Sequence, residues 1–224
     1  MNRLRWMPLV AVALVVCVAP AALWTGEMTA PPGGLAPAAG MSGGELLADN
    51  WVTDLSNPAG TFAGGCMLLG NDDRVAFPAI DENLAATCTV KPGTPVFIAP
   101  GSECSDVEDP PFFGATAAEQ RACAIAVDQD FFLSATISVD GGKPVEIIAP
   151  RFELVSPQTT VDLAPDNTLG VPPQTATFVA HGWGAMVRGL SPGTHTITAD
   201  VATSDGAVST VVFTIHVVPR GQAR

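Results

Sequence analysis

The fold is decided by the stretch Leu190-Ser-Pro-Gly-Thr-His-Thr-Ile197, which continues as Thr198-Ala-Asp-Val-Ala-Thr203 and, after Ser204-Asp-Gly206, returns as Val211-Val-Phe-Thr-Ile-His-Val-Val218. Alternating apolar and polar residues on both sides of a glycine-containing turn are typical of a β-hairpin. We expect this to be the closing hairpin of an immunoglobulin-like β-sandwich of antiparallel strands, a mainly β fold. Such a fold carries binding and structural roles more often than catalysis.

Two registers are open to this hairpin. A two-residue turn places His195 opposite His216, as in a cross-strand metal pair, but it separates the apolar residues of the two strands onto opposite faces. A three-residue loop slips the register by one residue and puts six apolar side chains on one face: Ile197, Ala199, Val201, Val211, Phe213 and Ile215. We favour the second register, which turns His195 toward the core and His216 outward. It also requires a positive φ at Gly206 and predicts no metal at the two histidines.

The N-terminus carries the pattern of a secretory signal peptide. The basic Asn2-Arg-Leu-Arg5 precedes an apolar run from Trp6 to Ala19, and Ala19-Pro-Ala21 supplies small residues for cleavage. We expect residues 1–21 to be a removed signal and the protein to be secreted or extracellular, in association with the cell surface. An uncleaved anchor is the alternative, because the apolar stretch continues to Trp24.

The rest of the chain is divided by composition. Residues 22–44 are rich in Pro, Gly and Ala and predict a flexible tether. Residues 45–218 are expected to form a single β-sandwich domain, and residues 219–224 a disordered tail. No internal repeat is visible, and one domain of this length is usual for a β-sandwich.

The charge balance narrows the classes of partner. The full chain has a net charge of −12, and loss of Arg3 and Arg5 with the signal leaves 8 basic against 22 acidic residues, a net −14. Nucleic acid and anionic membranes require clustered Lys and Arg, so we expect neither nucleic-acid binding nor membrane insertion after cleavage.

Four cysteines remain after cleavage: Cys66, Cys88, Cys104 and Cys123. An even number in an exported chain predicts disulfides, and of three connectivities we favour Cys66–Cys88 with Cys104–Cys123. Each bridge would contribute about 3 kcal/mol by restricting the unfolded chain. A zinc site needs closer Cys/His spacing than the sequence offers.

Short β-branched and aromatic runs predict the strands of the domain. These runs are Thr87–Val90, Pro95–Ala99, Phe131–Val139, Val145–Ile148, Phe152–Val155, Thr159–Leu163 and Thr175–Ala180. A hairpin is expected to turn at Asp140-Gly-Gly142. Residues 115–127 are rich in helix formers and begin with a capping box of Thr116 and Glu119. They predict one short α-helix inserted into the β framework, pinned through Cys123.

The C-terminal half resembles a family pattern. The motif Leu190-x-Pro-Gly-x-His-Thr, followed by Ala199, Asp200, Gly206 and Phe213-Thr214, is similar to the ending of many bacterial extracellular immunoglobulin-like domains. The wider chain resembles an uncharacterised group of secreted bacterial proteins through segments such as Cys88-Thr-Val-Lys-Pro-Gly-Thr-Pro-Val-Phe97. The resemblance implies a secreted fold and no particular activity. His181-Gly-Trp-Gly184 departs from the pattern.

Two functions remain after these observations. The first is a non-catalytic interaction or structural domain whose partner is a protein or glycan at the cell surface, with His181 and Trp183 as candidate ligand contacts. The second is an extracellular hydrolase in which Glu103 or Asp106 pairs with Asp128 or Asp130 near the 103–127 loop and helix.

Other motifs predict little chemistry. Gly40-Met-Ser-Gly-Gly44 matches G-x-S-x-G but falls in the expected tether rather than between a strand and a helix. Acidic groups at 71–73, 81–83 and 106–109 carry oxygen ligands suited to Ca²⁺ without a known calcium-loop spacing. We therefore expect no cofactor and no catalytic residue, with Ca²⁺ the alternative.

Overall fold

The computed structural model of the protein describes residues 34–38, 41–70 and 72–219. The predicted signal peptide, residues 1–21, lies outside this part, as do residues 220–224 of the predicted tail. Over these described ranges the fold is mainly β, with two helices and two disulfides. Within the described ranges, neither helix has the length and apolar content that a membrane span requires.

Two five-stranded sheets pack face to face. The closing sheet has the order β4-β14-β13-β7-β8, with bounds Ala85–Val90, Val208–Val217, Gly193–Thr203, Phe132–Val139 and Val145–Glu146. The middle sheet has the order β1-β12-β5-β3-β2, with bounds Gly34–Pro37, Ala185–Arg188, Val96–Ile98, Val75–Pro78 and Cys66–Leu69. Their facing side chains, including Ile98 and Val187 of the middle sheet and Ile137 and Ile215 of the closing sheet, form one buried core.

The other face of the middle sheet supports a third layer. This layer contains α1 (Met41–Leu55) and a helix-side sheet of β10-β11-β6, with bounds Thr159–Asp162, Thr175–Trp183 and Gly101–Ser105, to which β9 (Glu153–Val155) adds beside β11. Phe97 and Met186 face this layer and pack with Phe178 and Leu47 in a second core. The helix α2 (Ala117–Phe131) packs on β11 and β6 and leads directly into β7.

The closing hairpin has the register favoured from the sequence. His195 lies opposite Ile215, Ile197 opposite Phe213 and Ala199 opposite Val211. Five of the six apolar side chains of that face are buried and Val201 is partly buried, because the pleat turns all six toward the middle sheet. Gly206 has a φ of +86°. The histidine pair expected from the alternative register is therefore absent from the hairpin.

Four expectations need correction. Residues 34–37 form β1, which pairs with β12, and α1 begins at Met41, so the predicted 22–44 tether is wrong for these residues. The framework contains two helices rather than one. The predicted helix at 115–127 is observed at 117–131; Thr116 does cap it, accepting a bond from the Glu119 backbone. Finally, β14 pairs with β4 in parallel, and β3 with β5 likewise, so the strands are not all antiparallel. Long connections permit either strand direction.

The two disulfides are Cys66–Cys88 and Cys104–Cys123, the pairs favoured from the sequence. The first joins β2, at the edge of the middle sheet, to β4, at the edge of the closing sheet. The second joins β6 to α2. Each bridge thus ties one layer of the protein to the next, in addition to restricting the unfolded chain.

The sequence His181-Gly-Trp-Gly184 is the corner at which the chain passes from the helix-side sheet into the middle sheet. A Cβ on Gly182 would collide with the backbone of Pro100 and Gly101, and a Cβ on Gly184 with the side chains of Leu154 and Phe97. The two glycines therefore allow three strands to approach closely. This explains the departure of the segment from an ordinary strand pattern.

Candidate functional site

A buried polar cluster surrounds His181 on the face of the helix-side sheet that α2 covers. The imidazole Nδ1 lies 2.7 Å from Asp128 Oδ2, and Nε2 lies 3.2 Å from Glu153 Oε1. Asp128 projects from α2 and accepts a 2.7 Å bond from the Ser102 hydroxyl as well as a 3.2 Å bond from the Ser102 backbone. The His181 ring meets the Trp183 ring edge to face.

The cluster has the residue types of a hydrolytic site without its arrangement. The Ser102 hydroxyl bonds to the carboxylate of Asp128 and not to the imidazole, so the histidine is not placed to accept the serine proton. His181 and Asp128 are fully buried and Trp183 is 5% exposed. The structure thus buries both side chains that the sequence suggests as ligand contacts, His181 and Trp183. Their contacts join α2, β6 and β11.

Glu103 lies on the opposite face of β6 from Ser102, because successive residues of a strand point to opposite sides. Its side chain is 3% exposed. Burial, reinforced by the neighbouring carboxylate of Glu108, raises the pKa of Glu103 to about 8. Burial also raises the pKa of Glu108, which accepts a bond from Ser105 Oγ. Glu103 is therefore protonated at neutral pH.

The carboxylates proposed for a hydrolase do not converge. Asp106 accepts bonds from the backbone and the hydroxyl of Thr177, and Asp130 is exposed on α2, while Glu103 and Asp128 occupy opposite faces of the sheet. Within the described residues, no hydrogen bond joins any two of these four carboxyl groups. Among residues 34–38, 41–70 and 72–219 there is no group of three or more His, Cys, Asp or Glu that could hold a metal ion.

His195 stabilises the closing sheet through both nitrogens of its ring. His195 Nδ1 lies 2.7 Å from Asp140 Oδ2, and its Nε2 lies 2.8 Å from the Ser191 carbonyl oxygen. The bond to Asp140 raises the pKa of His195. Although burial raises the pKa of Asp140, its bonds from His195 and Thr196 outweigh that effect and lower it. The pair links the turn of the 140–142 hairpin to β13.

Residues 41–44 of the Gly40–Gly44 motif form the start of α1 rather than a tether, and Gly40 lies outside the described residues. The side chain of Ser42 is outside the described part of the chain. A Cβ on Gly43 would collide with the Ala38 carbonyl, and a Cβ on Gly44 with the Val155 carbonyl. Close packing of the start of α1 on β9 therefore accounts for these two glycines.

An apolar cavity of about 490 Å³ lies between the closing sheet and the middle sheet. Such a volume is within the range of small-molecule sites. The closing sheet contributes side chains from β7, β13 and β14, and the middle sheet contributes β3, β5 and the turn after it. The apolar wall includes Phe77, Ile98, Phe132, Ile137, Ile147, Val201, Val211 and Phe213.

Small residues create this space. Ala135, Ala199, Ala207, Ala99 and Gly101 all line the cavity. Of these residues, Ala135 and Ala199 are buried in the core between the two sheets, where the larger Ile197 and Ile215 fill the space farther along. The cavity is therefore a direct result of residue size along β7 and β13.

The cavity opens to solvent at one end. Ile137 and Ile147, each 1% exposed, lie at its closed end, whereas Ile80 and Phe131 are 46% and 43% exposed. Asp205 is the single charged side chain among the described lining residues. The site thus has an apolar interior and an accessible mouth, which is the usual architecture of a binding pocket.

Comparison with known proteins supplies no function for this chain. The chain matches no protein-family model, no curated protein and no solved structure. A function for this chain is therefore inferred from the cavity and from the chemistry of its lining residues.

A second groove, of about 570 Å³, runs along α1. It is lined on one side by Glu45, Asp49 and Val52 and on the other by Gly70, Pro157 and Thr159. Asp49 is already used within the fold, because it accepts a 2.6 Å bond from the Gly70 backbone. The groove follows one helix and two loops, whereas two sheets enclose the apolar cavity, so we take the cavity as the candidate site.

The hairpin register predicted part of this site, since Ala199, Val201, Val211 and Phe213 were all expected on the buried face. The space between the sheets was not predicted. The signal available in the sequence was the alanine at positions 135 and 199, within strands whose other inward residues are large. Without the partner sheet, this signal does not distinguish a cavity from a tightly packed core.

Proposed function

We propose that this protein is an exported, non-catalytic binding domain that holds an apolar small molecule between the closing sheet and the middle sheet. One observation carries the proposal, the apolar cavity of about 490 Å³ with an accessible mouth. An apolar space of this size, bounded by two sheets and accessible from solvent, has the dimensions and lining of a small-molecule site.

The lining chemistry favours binding over catalysis. The described lining residues include no His, Cys, Lys or Arg, and their one carboxylate is Asp205. A hydrolytic or acid–base site needs a nucleophile or base beside a second polar group. The two groups that meet elsewhere, His181 and Asp128, are buried away from the cavity wall and lie beside Ser102 and Glu153.

Export supports the same proposal. Two disulfides are stable in oxidising compartments, and the N-terminal signal pattern leads there. We propose a secreted or cell-surface protein whose two facing sheets are a divergent form of the immunoglobulin-like sandwich of secreted bacterial proteins. A protein or glycan partner at the cell surface would contact the outer faces, while the cavity holds the small molecule.

Binding is tested with N-phenylnaphthylamine, an uncharged dye whose fluorescence rises in apolar surroundings. We expect saturable binding at one site per chain. The Ala135→Leu variant extends a side chain into the cavity and should weaken binding at least tenfold, because it occupies space that the dye needs. Its thermal unfolding should stay close to that of the original chain, since the added methylenes fill a void instead of overpacking the core.

The matched control is Leu133→Ala, two residues earlier on β7. Leu133 is 63% exposed and is outside the cavity lining, so this variant should bind the dye as the original chain does. Folded Ala135→Leu protein that binds with unchanged affinity would contradict the proposal, as would absence of saturable binding to the original chain. The Ile80→Ser variant removes an exposed apolar group at the mouth and should also weaken dye binding. This second test does not depend on core packing.

A further inference from the structure

The polar lining residues of the cavity are concentrated at one end. Along β13 the lining side chains change from Ala199 through Val201 to Thr203, and along β14 from Phe213 through Val211 to Ser209. In the hairpin register both series run toward the same turn, where Asp205 lies. The lining therefore becomes more polar toward the hairpin turn, where the exposed Phe131 also lies, beside Ser204.

Asp205 is held in place at this mouth by the turn. Its Oδ1 accepts a 2.6 Å bond from the Thr203 hydroxyl and a 3.0 Å bond from the Ala207 backbone. The Thr203 bond lowers the pKa of Asp205, and the Ala207 bond acts in the same direction. Within the described chain, Oδ2 has no donor, so an ionised carboxylate oxygen faces outward beside the mouth.

No cation of the described chain lies among the lining residues. A positive charge on a ligand would therefore meet the carboxylate of Asp205 without competition from a cation among these lining residues. A carboxylate head group would instead meet a like charge, in a chain whose net charge is already −12. Among the common head groups of single-chain amphiphiles, charge complementarity therefore favours a cationic one over a carboxylate.

On the basis of the proposed apolar site, we infer that the ligand class is a monocationic amphiphile, with its alkyl body between the two sheets and its ammonium head at Asp205. The alkyl body supplies most of the affinity, because it removes apolar surface from water. The exposed ion pair adds a preference of about threefold to fivefold for an ammonium head group over an uncharged one.

The test is displacement of N-phenylnaphthylamine by three ligands with the same chain, decylamine, decanol and decanoate, at pH 7 and low salt, below their micelle concentrations. We expect decylamine to displace the dye at about threefold to fivefold lower concentration than decanol, and decanoate to be the weakest. Asp205→Asn should make decylamine and decanol equal, since the amide oxygen still accepts the turn bonds but carries no charge. High salt should reduce the amine preference.

Asp200→Asn is the matched control. Asp200 lies on the exposed side of β13, where it accepts a 2.6 Å bond from Thr210, and it is not a lining residue. The Asp200→Asn variant should keep the amine preference, because only the net charge changes. Equal displacement by all three ligands, or equal loss of preference in both variants, would overturn the head-group inference and leave the apolar site intact. Failure of every ligand to displace the dye would overturn the apolar site as well.

Discussion

The buried cluster around His181 and the apolar cavity between the sheets have opposite character. The cluster contains histidine, aspartate, serine and glutamate, and it is closed, polar and hydrogen-bonded. The cavity contains almost no reactive side chain, but it is accessible from solvent. In this protein the residues with catalytic chemistry stabilise the layers, and the residues with little chemistry line the proposed binding site.

The contrast follows from what each region must satisfy. A buried carboxylate or imidazole needs partners, because unpaired polar groups in a low-dielectric core are costly. Once Asp128 has bonded to Ser102 and His181, little of its capacity remains for a substrate. A cavity, by comparison, results from small side chains and needs no polar partner. The comparison predicts that mutations in the helix-side layer affect stability and that mutations in the cavity affect binding.

The largest expected effect on stability is the pH dependence due to Glu103. Burial gives its carboxyl a folded pKa of about 8, well above the ordinary value of 4.5, so the folded state retains a proton that the unfolded chain releases. The stabilisation is fully present below pH 4.5, declines as pH rises, and is lost through pH 8. The difference amounts to roughly 4 kcal/mol between these limits.

The Glu103→Gln variant, which cannot ionise, should lack this decline. Urea unfolding between pH 4.5 and pH 8.5 measures the free energy of unfolding across this range. The control is Glu82→Gln, an exposed position, which should keep the pH profile of the original chain. Parallel profiles for Glu103→Gln and the original chain would show that Glu103 ionises freely in the folded state and would contradict the stability prediction for the helix-side layer.

The Asp128→Ala variant separates the cluster from the cavity. It leaves the buried His181 ring and the Ser102 hydroxyl without their partner and should lower the free energy of unfolding by about 3 kcal/mol. Dye affinity of the folded fraction should be unchanged, because Asp128 does not line the cavity. Asp130→Ala, on the exposed side of the same helix, should change neither quantity. A loss of affinity at constant stability in Asp128→Ala would place the cluster in the binding site.

The smallest expected effect concerns the turn that holds the polar end of the cavity. Gly206 has a φ of +86°, which a β-branched side chain adopts with strain, so Gly206→Val should cost about 1–2 kcal/mol. Ser204→Val in the same loop has no such requirement and should cost less than about 0.5 kcal/mol. Chemical denaturation of both variants compares them. Equal stability would mean that the loop adopts another conformation in solution.

Much of the β framework could be predicted from local sequence. All seven predicted runs contain strands, and the apolar face of the hairpin selected the correct register. The helix α1 has Leu47, Trp51 and Leu55 at helical spacing, but its first turn contains Gly43 and Gly44, which disfavour a helix and make its start hard to predict. The parallel pairing of β4 with β14 joins strands more than a hundred residues apart, and no local pattern records it.

The site was harder to predict than the fold. His181 and Trp183 were selected for their chemistry, but their environment depends on α2, β9 and the sheet-switching corner at Gly184. The cavity depends on the distance between two sheets, which the disulfide Cys66–Cys88 and the packing of distant strands determine. Sequence periodicity identifies which side chains face inward, whereas the amount of space left between them is a tertiary property.

Isoleucine methyl NMR tests the central claim most directly. Of the eight isoleucines, Ile80, Ile98, Ile137 and Ile147 line the cavity, and Ile125, Ile148, Ile197 and Ile215 do not. On titration with N-phenylnaphthylamine, we predict saturable shifts that are large for the four lining methyls and small for the other four. Shifts centred on Ile125 of α2, or equal shifts at all eight, would contradict binding between the two sheets.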